Sequence, residues 1–199
     1  FARAVAGAAK RSLVVVDLPF GSYETGADDA LRNSIRIIKQ SGAAAVKLEG
    51  GAERVPQIEA IVSAGIPVMG HLGFTPQSVH SLGGFKVQGR GEKAAQLMQD
   101  ALALEKAGAF AIVLELVPMD IAGEISAALT IPTIGIGAGP KTDGQILVWT
   151  DFAGLSGHKP RKFVKQYAQM RKLLAEAAVS YKNEVENSVF PDEATSFAD

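Results

Sequence analysis

The chain has 199 residues, of which 47% are hydrophobic and 21% charged, and 20 Lys and Arg against 21 Asp and Glu leave a net charge of −1. Because the charge is balanced and has no basic run, we expect no nucleic-acid partner. No apolar stretch reaches the ~18 residues of a membrane span, so we expect no membrane partner either. The absence of cysteine excludes disulfides, thiolate metal sites and cysteine nucleophiles, and is typical of a cytoplasmic protein.

Short apolar runs alternate with segments of helical spacing along the chain. The runs predict six strands, at residues 13–17, 44–49, 66–71, 110–115, 131–137 and 146–149. Most are apolar at consecutive positions, which is typical of strands that are covered on both faces. Helical spacing predicts helices at about 2–10, 25–42, 91–108 and 163–187, and a polar tail follows at 191–199. The alternation predicts an α/β fold with a parallel sheet.

The strand count favours one particular α/β architecture. A (β/α)₈ TIM barrel has eight strands and typically about 250 residues. We therefore predict that residues 1–199 form a single barrel domain whose first two strand–helix units precede Phe1. An open doubly wound sheet is the alternative, but its glycine-rich turn should follow the first strand, whereas GIGAG (135–139) follows the fifth. Too few residues separate GIGAG from the sixth run for a crossover helix.

Five polar residues lie at the carboxyl ends of the first four apolar runs. They are Asp17, Lys47, Glu49, His71 and Glu115. In a barrel these strand ends meet at one mouth, and Lys47 and Glu49, two residues apart, share a face. An isolated charge at a buried strand end is costly, so each of these groups needs a partner, a metal ion or a catalytic role.

Each of these residues also has a purely structural interpretation. Asp17 could cap a turn, Lys47 and Glu49 could form a salt bridge at the rim, His71 could bond to backbone in the core, and Glu115 could bond amides of its own loop. Five such residues at four consecutive strand ends are harder to explain in this way together.

The residue types favour metal-assisted carbanion chemistry. Mg²⁺ commonly takes one or two protein carboxylates, so Asp17 and Glu49 are the candidate metal ligands. A metal ion there would chelate a small 2-oxo acid and stabilise an enolate. Lys47 could hold the substrate carboxylate, His71 could donate a hydrogen bond, and Glu115 remains as the general base. The spacing alone identifies no substrate.

Longer segments resemble a known family. The segments are VVVDLPFGSYE, AVKLEGG, IPVMGHLGFTPQSV, GGFKVQGRG, LALEKAGAFAIVLELVP, IPTIGIGAGPKTDGQILVWTDFAG and PRKFVKQY, which run in order between about residues 12 and 167. They resemble the 3-methyl-2-oxobutanoate hydroxymethyltransferase (ketopantoate hydroxymethyltransferase) family. The resemblance implies a (β/α)₈ barrel of the phosphoenolpyruvate/pyruvate type.

The implied reaction transfers a hydroxymethyl group from 5,10-methylenetetrahydrofolate to 3-methyl-2-oxobutanoate, giving 2-dehydropantoate for pantothenate biosynthesis. By matching motif, Asp17 and Glu49 are similar to the family's Mg²⁺-site carboxylates, and Asp17 and Lys47 are similar to family residues that contact the oxo acid. His71 matches a substrate-contacting histidine and Glu115 the proton acceptor. Family members form homo-oligomers, often decamers, so we expect an oligomer.

One family motif has no counterpart in this chain. Gly-Asp-Ser-Leu-Gly, which carries another metal-site aspartate and a substrate-binding serine, is absent, and we expect that aspartate before Phe1. Two other classes of protein stay open at this point. A Mg²⁺-dependent carbon–carbon lyase or mutase would use similar carboxylates, although the lyases we compare carry a catalytic cysteine loop. A scaffold whose charged rim is only structural is the third class.

Overall fold

Six parallel strands form one sheet in the computed structural model, which describes residues 1–198. They are β1 (Val15–Asp17), β2 (Ala45–Glu49), β3 (Val68–Gly73), β4 (Ala111–Glu115), β5 (Thr133–Ile136) and β6 (Gly144–Gln145). Each strand pairs with the next one along the chain, so the sheet has the order β1-β2-β3-β4-β5-β6. Consecutive strands of a β/α barrel have this order, whereas a doubly wound sheet reverses it at a switch point. The α/β prediction with a parallel sheet is confirmed, and the complete eight-stranded barrel stays a prediction.

The chain divides into two compact units, 1–146 and 147–199. The first contains the sheet and five helices, which are α1 (Ala2–Ala8), α2 (Ala27–Ser41), α3 (Val55–Ser63), α4 (Lys93–Lys106) and α5 (Met119–Ala128). Two 3₁₀ turns, Ala52–Arg54 and Pro76–Ser78, follow the ends of β2 and β3. Successive helices contact one another, from α1 to α5. Gly42 ends α2 in the left-handed conformation, which glycine adopts without steric cost.

The core of the first unit lies between the sheet and its helices. Leu48 of β2 and Ile112 of β4 are fully buried in one apolar cluster with Ile58 of α3, Leu104 of α4 and Ile125 of α5. The cluster takes alternate residues of β2 and β4, namely Val46 and Leu48, and Ile112 and Leu114, so the helices cover one face of the sheet. The core holds the strands in position, and the strands in turn position the polar side chains at their carboxyl ends.

The sixth strand is not where the sequence predicts it. We expected residues 146–149, but β6 comprises Gly144 and Gln145, which pair with Ile134 and Gly135 of β5. The loop after β5 is short, so the first residues after it, Gly144 and Gln145, are the ones that pair with β5. Ile146 adds one more bond, because its N–H donates to the Gly135 carbonyl at 3.0 Å.

The second unit contains two helices, α6 (Trp149–Phe152) and α7 (Met170–Glu186), and a 3₁₀ turn at Glu193–Thr195. The predicted helix at 163–187 therefore begins seven residues late. The backbone N–H groups of Tyr167, Met170 and Arg171 donate to carbonyls of residues 152–154, so the approach to α7 follows that segment and does not turn as a helix. Over residues 1–198, no helix is long and apolar enough to cross a membrane.

Candidate active site

The strand register places the five predicted polar residues on neighbouring strands. Asp17 of β1 is opposite Lys47 of β2, and Glu49 of β2 is opposite His71 of β3. His71 does not end its strand, because β3 continues to Gly73, which is opposite Glu115 of β4. In parallel strands all carboxyl ends meet at one edge of the sheet, so these groups share that edge.

Lys47 joins the first strand to the third. Its Nζ donates to Asp17 Oδ2 at 2.8 Å and lies 3.2 Å from His71 Nδ1. The Lys47 side chain is mostly buried, whereas that of Asp17 is half exposed. An ammonium group has only donors, so Nδ1 of a neutral His71 accepts from it and the ring proton is then on Nε2.

His71 is the centre of the cluster. The side chain is buried, with 3% of the residue surface exposed. Nδ1 lies 3.7 Å from Glu49 Oε1, and Nε2 lies 3.2 Å from Glu115 Oε2. The Nε2 contact does not have the angle of a hydrogen bond, so this buried nitrogen has no hydrogen-bond partner within residues 1–198. A buried, unpartnered donor is costly unless a ligand or water completes it.

Glu49 is buried, and burial raises the pKa of its carboxyl above the usual value, against the opposite effects of the Gln77 N–H, His71 and Lys47. Removing water disfavours the charged form of a carboxyl group. Its Oε2 accepts the backbone N–H of Gln77 at 2.9 Å. Its backbone N–H donates to the hydroxyl of Tyr23 at 3.3 Å.

Glu115 is held by the backbone around it. The N–H of Phe74 donates to its carbonyl at 2.7 Å, and the next residue, Leu116, has the left-handed φ of 50°. The Leu116 N–H donates to Ile136 at 2.9 Å and its carbonyl accepts the N–H of Gln88 at 2.8 Å. A leucine with positive φ is uncommon and persists where the surrounding bonds determine it. The end of β4 is therefore fixed between β3, β5 and the loop at residue 88.

The structure thus brings all five predicted residues into one connected cluster. Sequence reasoning missed Tyr23 and Gln77, which bind the main chain and the carboxylate of Glu49. A tyrosine after a strand end and a glutamine after Thr75-Pro76 carry no sequence signal of a shared partner, since they are 54 residues apart.

The chain matches one known family. The sequence profile of ketopantoate hydroxymethyltransferase matches residues 1–193. The chain belongs to this family. It is 59% identical over 195 residues to the 3-methyl-2-oxobutanoate hydroxymethyltransferase of Leifsonia xyli and 57% identical to that of Acidothermus cellulolyticus. The aligned regions cover 98% of this chain and 70% and 72% of those two relatives.

Solved structures with little sequence identity have a similar fold. A crystal structure of phosphonopyruvate hydrolase is 17% identical with a TM-score of 0.51, and the match covers 99% of this chain and 69% of that one. A putative phosphonomutase from Burkholderia cenocepacia is 14% identical with a TM-score of 0.53, covering 88% and 72%. At these identities the likeness concerns the fold alone. The ketopantoate hydroxymethyltransferase resemblance seen in the sequence is confirmed by the family match.

Proposed function

We propose that this chain transfers a hydroxymethyl group from 5,10-methylenetetrahydrofolate to 3-methyl-2-oxobutanoate, giving 2-dehydropantoate. Family membership and the names of the similar relatives support this reaction. The observation that carries it is the connected cluster at the strand ends, where a free carboxylate, Glu115, lies beside a buried imidazole. The same support disfavours the lyase or mutase alternative, because neither the family nor these relatives carry such a name.

Asp17 and Glu49 would hold Mg²⁺. Within residues 1–198 no group of three or more Asp, Glu or His side chains is arranged to hold a metal ion. Two carboxylates still fit Mg²⁺, which completes its coordination with water and substrate oxygens. Glu49 Oε1 fits this role because its neighbour, His71 Nδ1, is beyond hydrogen-bonding distance at 3.7 Å. When bound, Mg²⁺ supplies positive charge that stabilises the enolate of the oxo acid.

Lys47 would bind the anionic substrate. Its ammonium group contacts Asp17 and His71, so its position is fixed from both sides. A fixed cation attracts the carboxylate of a 2-oxo acid without ordering a flexible side chain at the moment of binding. We assign substrate binding to Lys47, Asp17 and His71.

Glu115 accepts the proton from C3 of the oxo acid. The carbonyl at C2 makes this proton acidic, and the carboxylate is mostly buried, so little water competes for it. Because Nδ1 of His71 accepts from Lys47, the ring proton is on Nε2, the nitrogen that lies next to Glu115. Water cleaves the two C–N bonds of the folate's methylene group, so that its oxygen stays on the methylene carbon and its two protons go to the folate nitrogens, and tetrahydrofolate leaves. The C3 carbanion then bonds to this carbon, and the proton that Glu115 took from C3 goes to the new hydroxyl group.

Proton exchange at C3 tests the first step without the folate. The complete protein, 3-methyl-2-oxobutanoate and Mg²⁺ in D₂O should exchange the C3 proton, followed by ¹H NMR, and EDTA should stop the exchange. Glu115→Gln should slow it by roughly 10²-fold or more, since a general base contributes about that much. Glu124→Gln, an exposed change on α5, is the matched control and should exchange normally. Unchanged exchange in Glu115→Gln would refute the assignment and favour the scaffold interpretation.

We also propose that the protein is a cytoplasmic homo-oligomer, with a decamer as the expected form. Exposed apolar side chains on α7 support association, since Leu173, Leu174 and Val179 are each more than half exposed. No residue of α7 is buried, and a helix with exposed apolar side chains of this kind is typical of one that packs against another subunit. Light scattering after size exclusion tests the oligomer, and a monomer at micromolar concentration would contradict it.

A further inference from the structure

The hydroxyl of Tyr23 forms two hydrogen bonds in a buried environment. It donates to Gln77 Oε1 at 2.6 Å and accepts the backbone N–H of Glu49 at 3.3 Å. Only 2% of the Tyr23 surface is exposed, and burial raises the pKa of the phenol well above its usual range. The hydroxyl therefore keeps its proton at neutral pH and remains a donor.

The amide of Gln77 is fixed in one orientation. Its Oε1 accepts from Tyr23, and its Nε2 donates to the carbonyl of Leu18, the residue after β1, at 2.8 Å. A flipped amide would place Oε1 against the Leu18 carbonyl, which can only accept, so this contact determines the orientation. Gln77 therefore ties the end of β1 to the loop that follows it and to the turn after β3.

The same two residues restrain Glu49 at both ends. Tyr23 binds its backbone N–H, and the backbone N–H of Gln77 binds its Oε2 at 2.9 Å. This bond occupies Oε2 and leaves Oε1 on the side of His71. One carboxylate oxygen is used for positioning, and the other is available to a ligand at the cluster.

We infer that Tyr23 and Gln77 are positioning residues that hold the Glu49 carboxylate in the orientation in which Oε1 binds the divalent cation. This inference rests on the proposed function, because it takes Glu49 as a metal ligand. Both residues would act through Glu49, to which they are bonded. Groups that orient a metal ligand typically change metal affinity by about 10- to 100-fold when they are removed.

Metal binding alone tests the inference, with no substrate present. Mn²⁺ is titrated into the complete protein, and free Mn²⁺ is measured by electron paramagnetic resonance at 25 °C. Tyr23→Phe removes only the hydroxyl. Gln77→Leu replaces the side-chain amide, which anchors this turn to Tyr23 and Leu18, by an apolar group and keeps the backbone N–H that binds Glu49. Each should raise the Mn²⁺ dissociation constant by about 10-fold or more. Tyr181→Phe, at an exposed tyrosine of α7, is the matched control and should bind as the wild type does.

Thermal unfolding of each variant separates positioning from stability. A purely structural role would lower the melting temperature and leave the dissociation constant of the folded protein unchanged at 25 °C. Dissociation constants within twofold of wild type for both folded variants would overturn the inference. Should one variant not fold, the other decides alone.

Glu49→Gln separates this inference from the proposed function. If Glu49→Gln weakens Mn²⁺ binding while Tyr23→Phe and Gln77→Leu do not, only the positioning role is refuted. If Glu49→Gln binds Mn²⁺ as the wild type does, or the wild type binds none, the metal assignment of Glu49 is refuted and the positioning role with it.

Discussion

Gly73 is the residue where the backbone near the proposed base is least able to accept a side chain. Its φ is +90°, and a Cβ there would lie 2.2 Å from the Glu115 carbonyl oxygen and 2.7 Å from Val117 Cγ2. The first contact is with backbone, which cannot rotate away as a flexible side chain can. Gly73→Ala must therefore displace β4 at Glu115 and weaken the 2.7 Å bond from Phe74 to that same carbonyl.

A second glycine separates the two causes of this destabilisation. Gly65 has a similar φ of +84°, but its Cβ would meet nothing within 4 Å. A non-glycine residue in the left-handed region costs on the order of 1–2 kcal/mol, so Gly65→Ala should lower the free energy of unfolding by that amount. Gly73→Ala carries the same cost plus about 1–3 kcal/mol for forced overpacking, about 2–5 kcal/mol in all.

Urea unfolding measures both variants, and C3 proton exchange measures the effect on Glu115. A displacement of about 1 Å in a reacting group can lower a rate by about 10²-fold. We expect folded Gly73→Ala to exchange the C3 proton far more slowly than wild type, and Gly65→Ala to exchange it normally. Equal losses of stability in the two variants, or normal exchange in Gly73→Ala, would refute the argument.

Two further predictions concern the core and the buried carboxyl group. Leu104→Ala, at a fully buried site, should lower the free energy of unfolding by about 2–5 kcal/mol. Leu13→Ala, at a position 59% exposed, should change it by about 0.5 kcal/mol or less. Denaturant titration measures both variants, and comparable losses of stability would contradict the assignment of the core. Burial raises the pKa of Glu49 above its ordinary 4.5, so the folded state takes up a proton before the unfolded state does, and this group stabilises the fold increasingly as the pH falls toward that value. Relative to Glu49→Gln, the wild type should therefore gain stability between pH 7 and pH 5 in urea unfolding, and a constant difference would show that burial does not control this carboxyl group.

The sequence predicts a site residue well where that residue ends an apolar run. Asp17, Glu49 and Glu115 are the last residues of their strands, with Lys47 on the same face as Glu49, because the polar residues that follow apolar runs mark where burial ends. His71 is the exception. It lies two residues inside β3, since Gly73 extends the pairing to Glu115. A glycine with positive φ as the last strand residue cannot be recognised from an apolar pattern.

Features that depend on distant partners were not predictable from the sequence. The pairing of Gly144 with Ile134 depends on how far a short loop reaches, and hydropathy favoured the more apolar 146–149 instead. The late start of α7 follows from backbone bonds to residues 152–154, which local helical spacing does not show. The hydrogen bond between Tyr23 and Gln77 joins a residue after β1 to a residue after β3. The two residues are close only because β1, β2 and β3 pair side by side.

The unbroken strand order has a consequence for how the chain folds. The first paired residues of neighbouring strands are 30, 22, 42, 21 and 10 positions apart, from Val15 with Ala45 to Ile134 with Gly144. Every strand pairs with a strand that is close to it in sequence, so closing each connection costs only modest entropy. The sheet can assemble progressively during synthesis, and the polar cluster is complete once Glu115 has joined β3.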